Sequence, residues 1–266
     1  MTAMEAISLL LSPNQAVGRF VSQSIDRAFR ILNVEKANFT WDRAHMRNRF
    51  SVEAESLPGI LPVFPLTGAV ILPNGQLPLN IFEERYINMV LDSLANSRLI
   101  GMVQPKMQVG SDGFDLHQTG CAGRIVSFSE TRDDRLLIIL AGVCRFDIET
   151  EADTASGGFR RMHVSWKRFL HDLEEVDQDQ AKLDPSDLLA SAKRYTDNRH
   201  LSVDWSALDH LQPSELIDTL ASSLPFSPEE KQGLVEAVVM NDRLQLLTAL
   251  CEFGAASAEA DTTVAH

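Results

Sequence analysis

The stretch "LPLNIFEERYINMV", Leu77–Val90, changes its hydrophobic period partway along. It begins as an extended Leu-Pro-Leu run, whereas its later apolar residues recur every three to four positions, as in a helix. Asn80 followed by Glu83 has the spacing of a capping box, and Glu83 and Glu84 would lie at the positive end of the helix dipole. The stretch therefore predicts a strand that passes directly into a helix starting after Asn80.

The predicted helix has one apolar face and an acidic start. Ile87, Val90, Leu91 and Leu94 fall at positions i, i+3, i+4 and i+7, which predicts that they are buried together. The two adjacent glutamates also suggest paired carboxylates for acid–base chemistry. We favour the structural interpretation, because acids at a helix start are already explained by the dipole.

Residues 57–170, which surround this helix, consist of short apolar runs separated by Pro and Gly. The polar "TRDD" at 131–134 separates two long apolar runs, which is typical of a hairpin. About six short strands with a single helix between them predict a closed or nearly closed barrel. Proline cannot donate a ladder hydrogen bond, so strands are expected to be edges or to bend at four positions: Pro62, Pro65, Pro73 and Pro78.

The remainder of the chain is predicted to be helical. An acidic linker at 171–184 precedes three or four short helices at 185–253, which are expected to form a small bundle. Ser227, with proline next and Glu230 three residues on, has a full helix-start pattern. The small, polar residues 254–266 are predicted to be a disordered tail.

Residues 1–56 differ in pattern from the rest of the chain and leave two interpretations open. Ile25, Phe29 and Leu32 form a passable helical stripe, so the segment is either an added helix with a linker or largely disordered. Alternatively, the start site is assigned too early and translation begins at Met46.

The charge balance limits the kinds of partner. The 266 residues include 24 Lys+Arg and 37 Asp+Glu, a formal net charge of −13. This charge works against non-specific binding to nucleic acids or anionic membranes. The three cysteines are widely spaced, with no C-x-x-C pair, and no apolar run is long enough to span a membrane. The sequence thus predicts a cytoplasmic protein.

Local catalytic motifs are absent from the sequence. It contains no G-x-x-x-x-G-K-[ST], G-x-S-x-G, S-x-x-K or H-E-x-x-H, and its histidines do not pair at metal-ligand spacing. We therefore predict no catalytic, cofactor-binding or metal-binding residues and no cofactor. A hydrolase whose site leaves no local pattern remains an alternative, because catalytic groups can converge from distant positions.

The run "FRRMHVSWKRFL", residues 159–170, mixes basic and aromatic residues, as a nucleic-acid-binding strand does. Its alternation fits a half-buried β-strand equally well, and the acidic chain favours that second interpretation. RNA binding is the alternative function of a different class.

Three pieces of the sequence resemble one known family, in the right order and with similar spacing. They are "LPVFPLTGAVILPNGQLPLNIFEERYINMV", "GCAGRIVSFSETRDDRLLIILAGVCRFDI" with its G-x-x-R-F ending, and "PSELIDTLASSLPFSPEEKQGLVEAVVMNDRLQLLTALCE" with its E-K-Q helix start and later D-R-L. Together these are similar to the N-terminal, substrate-recognition domain of Lon proteases, over residues 57–253. The resemblance implies an α+β fold, in which a PUA-like β pseudo-barrel precedes a small helical bundle.

Full-length Lon proteases continue into an ATPase module and a Ser-Lys protease domain, and neither is found in this sequence. The resemblance therefore leads us to expect a stand-alone, non-catalytic module that binds exposed apolar or unfolded polypeptide segments, at a strand edge or in a groove. An adaptor role beside a separate protease is left open. The candidate binding residues are Phe64, Phe82, Tyr86 and Met89, with Arg85 as a polar anchor, although each fits a core position as well.

Overall fold

The computed structural model describes residues 52–106, 115–174 and 183–264, with side chains described as far as Ser257. Within these ranges, residues 52–183 and 212–243 form one compact unit, and residues 184–211 and 244–264 form another. We call them the β-rich unit and the helical unit. Most of the N-terminal segment expected at 1–56 lies outside the described residues.

The β-rich unit contains eight strands in the described residues. They are β1 Ile60–Pro65, β2 Gln76–Ile81, β3 Leu99–Val103, β4 Pro105–Lys106, β5 Asp115–Leu116, β6 Thr119–Glu130, β7 Leu136–Glu151 and β8 Arg161–Ser165. The six-stranded sheet has the order β2-β7-β6-β3-β1-β8, and β7 also pairs with β8. The strands β7, β6, β3, β1 and β8 therefore close into a ring, with β2 attached outside it. The predicted barrel is confirmed.

Two apolar clusters pack against this sheet. The first, which we call the ring cluster, has members from all five strands of the ring and so fills its inside: Leu61, Val63, Leu99, Val103, Ala122, Cys144, Phe146, Met162, Val164, Trp166 and Phe169. The second, which we call the helix cluster, joins the sheet to the helix α1, Glu84–Ala95. Its buried members are Phe64, Ile71, Ile81, Met89, Val90, Ile100, Met102, Cys121, Ile125, Leu136, Ile138, Leu140 and Phe159.

Helix α1 begins later than the capping-box spacing predicted. Asn80 is exposed within β2, where it pairs with Leu137 of β7, so it does not cap the helix. The N-cap position is Glu83 itself, and its side chain makes no capping hydrogen bond. The local capping pattern was overridden because β2 continues its ladder with β7 as far as Ile81.

The buried face of α1 also differs from the prediction. Met89, Val90 and Ser93 are buried, whereas Ile87 and Leu94 are only half-buried. Leu91, expected in the core, is 50% exposed. The period was correct, but the face that contacts the sheet is rotated toward Met89.

Prolines occupy both edge and internal strands. Pro78 lies in β2, which pairs with β7 alone among the described strands, as predicted for an edge. β1 is an internal strand, so the edge alternative does not apply to its two prolines. Pro62 lies in the half of β1 that pairs with β8, and Pro65 in the half that pairs with β3. Each half of β1 pairs with a neighbouring strand on one side. A proline fits there because its missing N–H group can face the unpaired side.

The helices α3, Pro213–Ser223, and α4, Pro228–Glu236, belong to the β-rich unit rather than to the separate bundle expected from the sequence. Ser227 caps α4 in a capping box with Glu230, as predicted. Gln232 of the E-K-Q motif donates to the Thr119 carbonyl and accepts a hydrogen bond from Gln104, so α4 is tied to β6 and to the end of β3.

The helical unit contains α2, Ser186–Asn198, and most of the long helix α5, Met240–Val264. Asn198 donates to the Ala255 carbonyl at 3.1 Å, and Tyr195 packs against Gly254, where a Cβ atom would lie 2.4 Å from the tyrosine ring. The disordered tail predicted from residue 254 is wrong as far as Val264, because α5 continues through it. Its alanines and glutamate are good helix formers, and the composition was misread as polar and unstructured.

Candidate functional site

The junction between β2 and α1 presents aromatic and basic side chains at its surface. Phe82 lies between the last residue of β2 and the first of α1 and is 47% exposed. The guanidinium carbon of Arg135, in the turn between β6 and β7, is 5.8 Å from the centroid of the Phe82 ring. Phe82 is thus held beside a cation and stays open to solvent on another side.

Tyr86 lies between Phe64 and Arg85, and we call these three side chains the stack, in which the two rings are tilted by 47°. The rings of Phe64 and Tyr86 have centroids 4.3 Å apart, and the Arg85 guanidinium lies 4.6 Å from the Tyr86 ring centroid. Arg85 is also paired with Glu83 at 2.8 Å. Burial of Tyr86 raises the pKa of its phenol above the usual value, although the neighbouring Arg85 opposes the shift. The stack goes from a buried ring, through a half-buried one, to an exposed cation.

The five predicted binding residues therefore divide by depth. Phe82 and Arg85 are exposed and Tyr86 is half-buried, so these three are available to a ligand. Phe64 is 8% exposed beneath Tyr86, and Met89 has no exposed surface. Both pack in the helix cluster. They are core residues that pack beneath the exposed ones and are not available to a ligand.

Sequence reasoning missed Phe128, which is 54% exposed on β6. It pairs with Ile138 of β7, and Ile138 in turn pairs with Leu79 of β2, so the three side chains share one face across three strands. The β6–β7 register shifts between Ile125 and Ser127. Because of this irregularity, Phe128 lies on the same face of the sheet as Ile125. Simple alternation along β6 would have placed the two side chains on opposite faces. A bulge leaves little signal in the sequence.

We call the exposed or half-buried set Leu79, Phe82, Arg85, Tyr86 and Phe128 the junction surface. Leu79 is half-buried and connects the junction to Phe128. Because one strand separates β2 from β6, the Cα atoms of Leu79 and Phe128 lie on the order of 10 Å apart. The apolar side chains of this surface provide tolerant contacts, and Arg85 adds one polar contact.

The outer edge of β2 offers backbone groups beside this surface. The Gly142 amide donates to the Gly75 carbonyl at 2.9 Å, which sets the phase of the β2–β7 ladder. Only every second residue of β2 bonds to β7, so Gln76, Pro78 and Asn80 direct their backbone groups outward. Pro78 has no N–H group, and the edge therefore lacks a donor at its centre.

The arginines and the aromatic residues at 159–170, considered for RNA binding, are occupied within the protein, whereas Lys167 is exposed. Arg160 forms a bidentate ion pair with Glu151, and Arg168 forms an ion pair with Asp147 at 3.1 Å. Arg161 donates to the Asp153 carbonyl. The aromatic residues of the same run, Phe159, Trp166 and Phe169, are buried. The run thus presents one exposed lysine but none of the exposed phenylalanine or tryptophan rings on which single-stranded RNA stacks.

No group of three or more potential metal ligands is found among the described residues. In the same part of the chain, no helix is both long and apolar enough to cross a membrane.

Comparison with known proteins identifies relatives of this chain. The family model described as the ATP-dependent protease La (LON) substrate-binding domain matches residues 60–252. Lon protease 2 of Myxococcus xanthus is 24% identical over 211 residues, which cover 75% of this chain and 24% of that protein. Lon protease of Elusimicrobium minutum is 27% identical over 204 residues, covering 73% of this chain and 24% of that protein. The chain thus spans about a quarter of the length of these relatives.

A solved structure agrees with these matches. The crystal structure of a Lon N-terminal domain protein from Xanthomonas campestris superposes with a TM-score of 0.52 at 25% sequence identity, covering 71% of this chain and 97% of that one.

Proposed function

We propose, because this chain belongs to the family of Lon substrate-binding domains, that it is a binding module for exposed apolar or unfolded polypeptide segments. The single observation that carries the proposal is the junction surface. In it, Phe82 and Phe128 are each about half exposed, and Arg85 lies at the edge of the Phe64–Tyr86 stack. Single exposed apolar side chains are ordinary, but several grouped on one surface commonly mark an interaction site.

The expected mode of binding relies on side chains. A strand added at the outer edge of β2 could accept hydrogen bonds from the N–H groups of Gln76 and Asn80. Pro78 has no N–H group, so the ladder would be interrupted between them. Aromatic side chains accept many different apolar partners, because they offer large surfaces with few rotatable bonds. A client would therefore be selected by exposed apolar residues and not by one fixed sequence.

The test compares two forms of one labelled model protein, a native form and a form kept unfolded by reduction and thiol blocking. Fluorescence anisotropy should show tighter binding of the unfolded form. Phe82→Ser and Phe128→Ser should each weaken it roughly tenfold, the loss expected when a central aromatic contact is removed. Leu91→Ser is the matched control, because Leu91 is equally exposed but lies outside the junction surface. Equal affinity for the two forms would contradict the proposal.

We also propose that the chain acts by binding and not by catalysis, in the cytoplasm, where its three free cysteines remain reduced. Casein incubated with the purified chain, with and without ATP, should remain intact. An adaptor role is the natural extension: a separate ATP-dependent protease should degrade an unfolded client faster when the chain is present. Phe82→Ser should remove that acceleration.

A further inference from the structure

A concave surface separate from the junction surface lies beside β8. It is a groove of about 430 Å³, within the range of volumes typical of ligand sites. Six of its lining residues decide what it can bind: Glu55, Glu149, Val164, Trp166, Lys167 and Leu170.

The floor of the groove is apolar and continuous with the protein core. Val164 and Trp166 belong to the ring cluster, so the groove opens onto the packed inside of the barrel. The Trp166 indole N–H donates to the Pro58 carbonyl at 2.9 Å, which fixes the ring and leaves no free donor on it. Leu170, on the following turn, is 39% exposed. A bulky apolar side chain from a partner would bury against these residues.

The rim of the groove carries more negative than positive charge. Glu55 and Glu149 line it together with a single cation, Lys167. Within the described ranges, neither carboxylate has an ion pair or a side-chain hydrogen bond. Each is thus free to accept a hydrogen bond from a partner's ammonium or guanidinium group. The net charge of −13 on the whole chain attracts basic partners further.

We propose that this groove binds a polypeptide segment that places one bulky apolar side chain over Trp166 and Leu170 and a neighbouring Lys or Arg beside Glu55 and Glu149. The inference rests on the proposed function, polypeptide binding, and adds a second surface with a preference for basic–apolar segments. Segments with acidic flanks would meet two carboxylates of like charge and are rejected.

The test uses two labelled nine-residue peptides with one central leucine, flanked by lysines in the first and by glutamates in the second. Fluorescence anisotropy at low salt should show tighter binding of the lysine peptide than of the glutamate peptide, and the affinity for the lysine peptide should fall as salt is added. Glu149→Lys should weaken this binding at least several-fold and reduce the discrimination between the two peptides. Leu170→Gln should weaken it without changing the salt dependence, because it removes only apolar contact.

Controls separate this inference from the proposed function. Leu91→Ser should leave lysine-peptide binding unchanged, and thermal unfolding should show that Glu149→Lys remains folded. If Glu149→Lys unfolds, Glu55→Gln supplies the same test with a smaller change. Binding of the lysine peptide that is indifferent to the groove variants would overturn the groove site. Failure of the unfolded model protein to bind would instead overturn the proposed function.

Discussion

Arg145 and Asp172 form an ion pair whose side chains are 2% and 6% exposed. Arg145 Nε donates to Asp172 Oδ2 at 2.9 Å and its Nη2 donates to Oδ1 at 2.8 Å. The same guanidinium also donates to the backbone carbonyls of Val235 and Val238, which lie in the last turn of α4 and just beyond it. The arginine of the G-x-x-R-F motif thus connects β7 to the segment after β8 and to the end of α4.

Removing one partner of this pair should destabilise the β-rich unit strongly. Arg145→Met leaves Asp172 buried without its cation and leaves carbonyls without donors, a change expected to cost about 3–5 kcal/mol. Urea denaturation of the variant and the wild type measures the free energy of unfolding. Arg160→Met, which removes the exposed pair with Glu151, is the control and should cost less than about 1 kcal/mol. Similar losses in both variants would show that Arg145 has no special structural role.

Lys231 gives the protein a testable pH dependence. Its Nζ donates to the carbonyls of Gly68 and Ser222, and burial lowers the pKa of its ammonium to about 8. Between about pH 8 and the ordinary pKa of 10.5, the unfolded chain binds a proton that the folded chain has released. The free energy of unfolding contributed by this residue therefore rises with pH through that window, by up to roughly 3 kcal/mol.

The variant Lys231→Met lacks this titration. The stability difference between wild type and variant should shift in favour of the wild type as the pH rises from 8 to 10.5, because all other groups titrate in both proteins. Chemical denaturation at several pH values measures the difference. A difference that stays constant over this range would show that Lys231 keeps its ordinary pKa in the folded state.

The two capping patterns in the sequence lead to opposite predictions. Ser227 accepts a hydrogen bond from the Glu230 amide at 3.2 Å, so Ser227→Ala should cost about 1 kcal/mol. Asn80 is exposed in β2 and caps nothing, so Asn80→Ala should change the free energy of unfolding by less than about 0.5 kcal/mol. Thermal or urea denaturation measures both. An equal loss in the two variants would favour the capping role that the spacing of Asn80 and Glu83 indicated.

The capping example shows what the sequence could and could not determine. Both patterns have the same spacing, but Ser227 comes after a proline-containing turn, whereas Asn80 lies in a strand that is still paired with β7. Local hydrogen bonding is decided within a few residues, and the ladder pairing of Asn80 depends on Leu137, which is distant in the sequence. The closed barrel was predictable because short apolar runs, prolines and the hairpin all indicated the same architecture.

The candidate site was predictable in part for a related reason. The position of Phe82 between a strand and a helix made it a candidate, but it fitted a core position equally well, and only the structure shows that it is 47% exposed. The depth of Met89 was not predictable, because the start of α1 determines which helical face meets the sheet. The exposure of Phe128 depends on one irregular position in the β6–β7 ladder. A single shifted residue reverses the face of every side chain beyond it.

Pro78 distinguishes two ways in which a client could use the β2 edge. Pro78→Ala supplies the missing outward donor in the middle of the edge and leaves the junction surface unchanged. If binding relies on side chains, the affinity for the unfolded model protein should change by less than about twofold, whereas Phe82→Ser should still weaken it roughly tenfold. Fluorescence anisotropy measures both variants against the wild type. A large gain in affinity for Pro78→Ala would mean instead that clients add to β2 as a strand, and that proline at this position limits how tightly they are held.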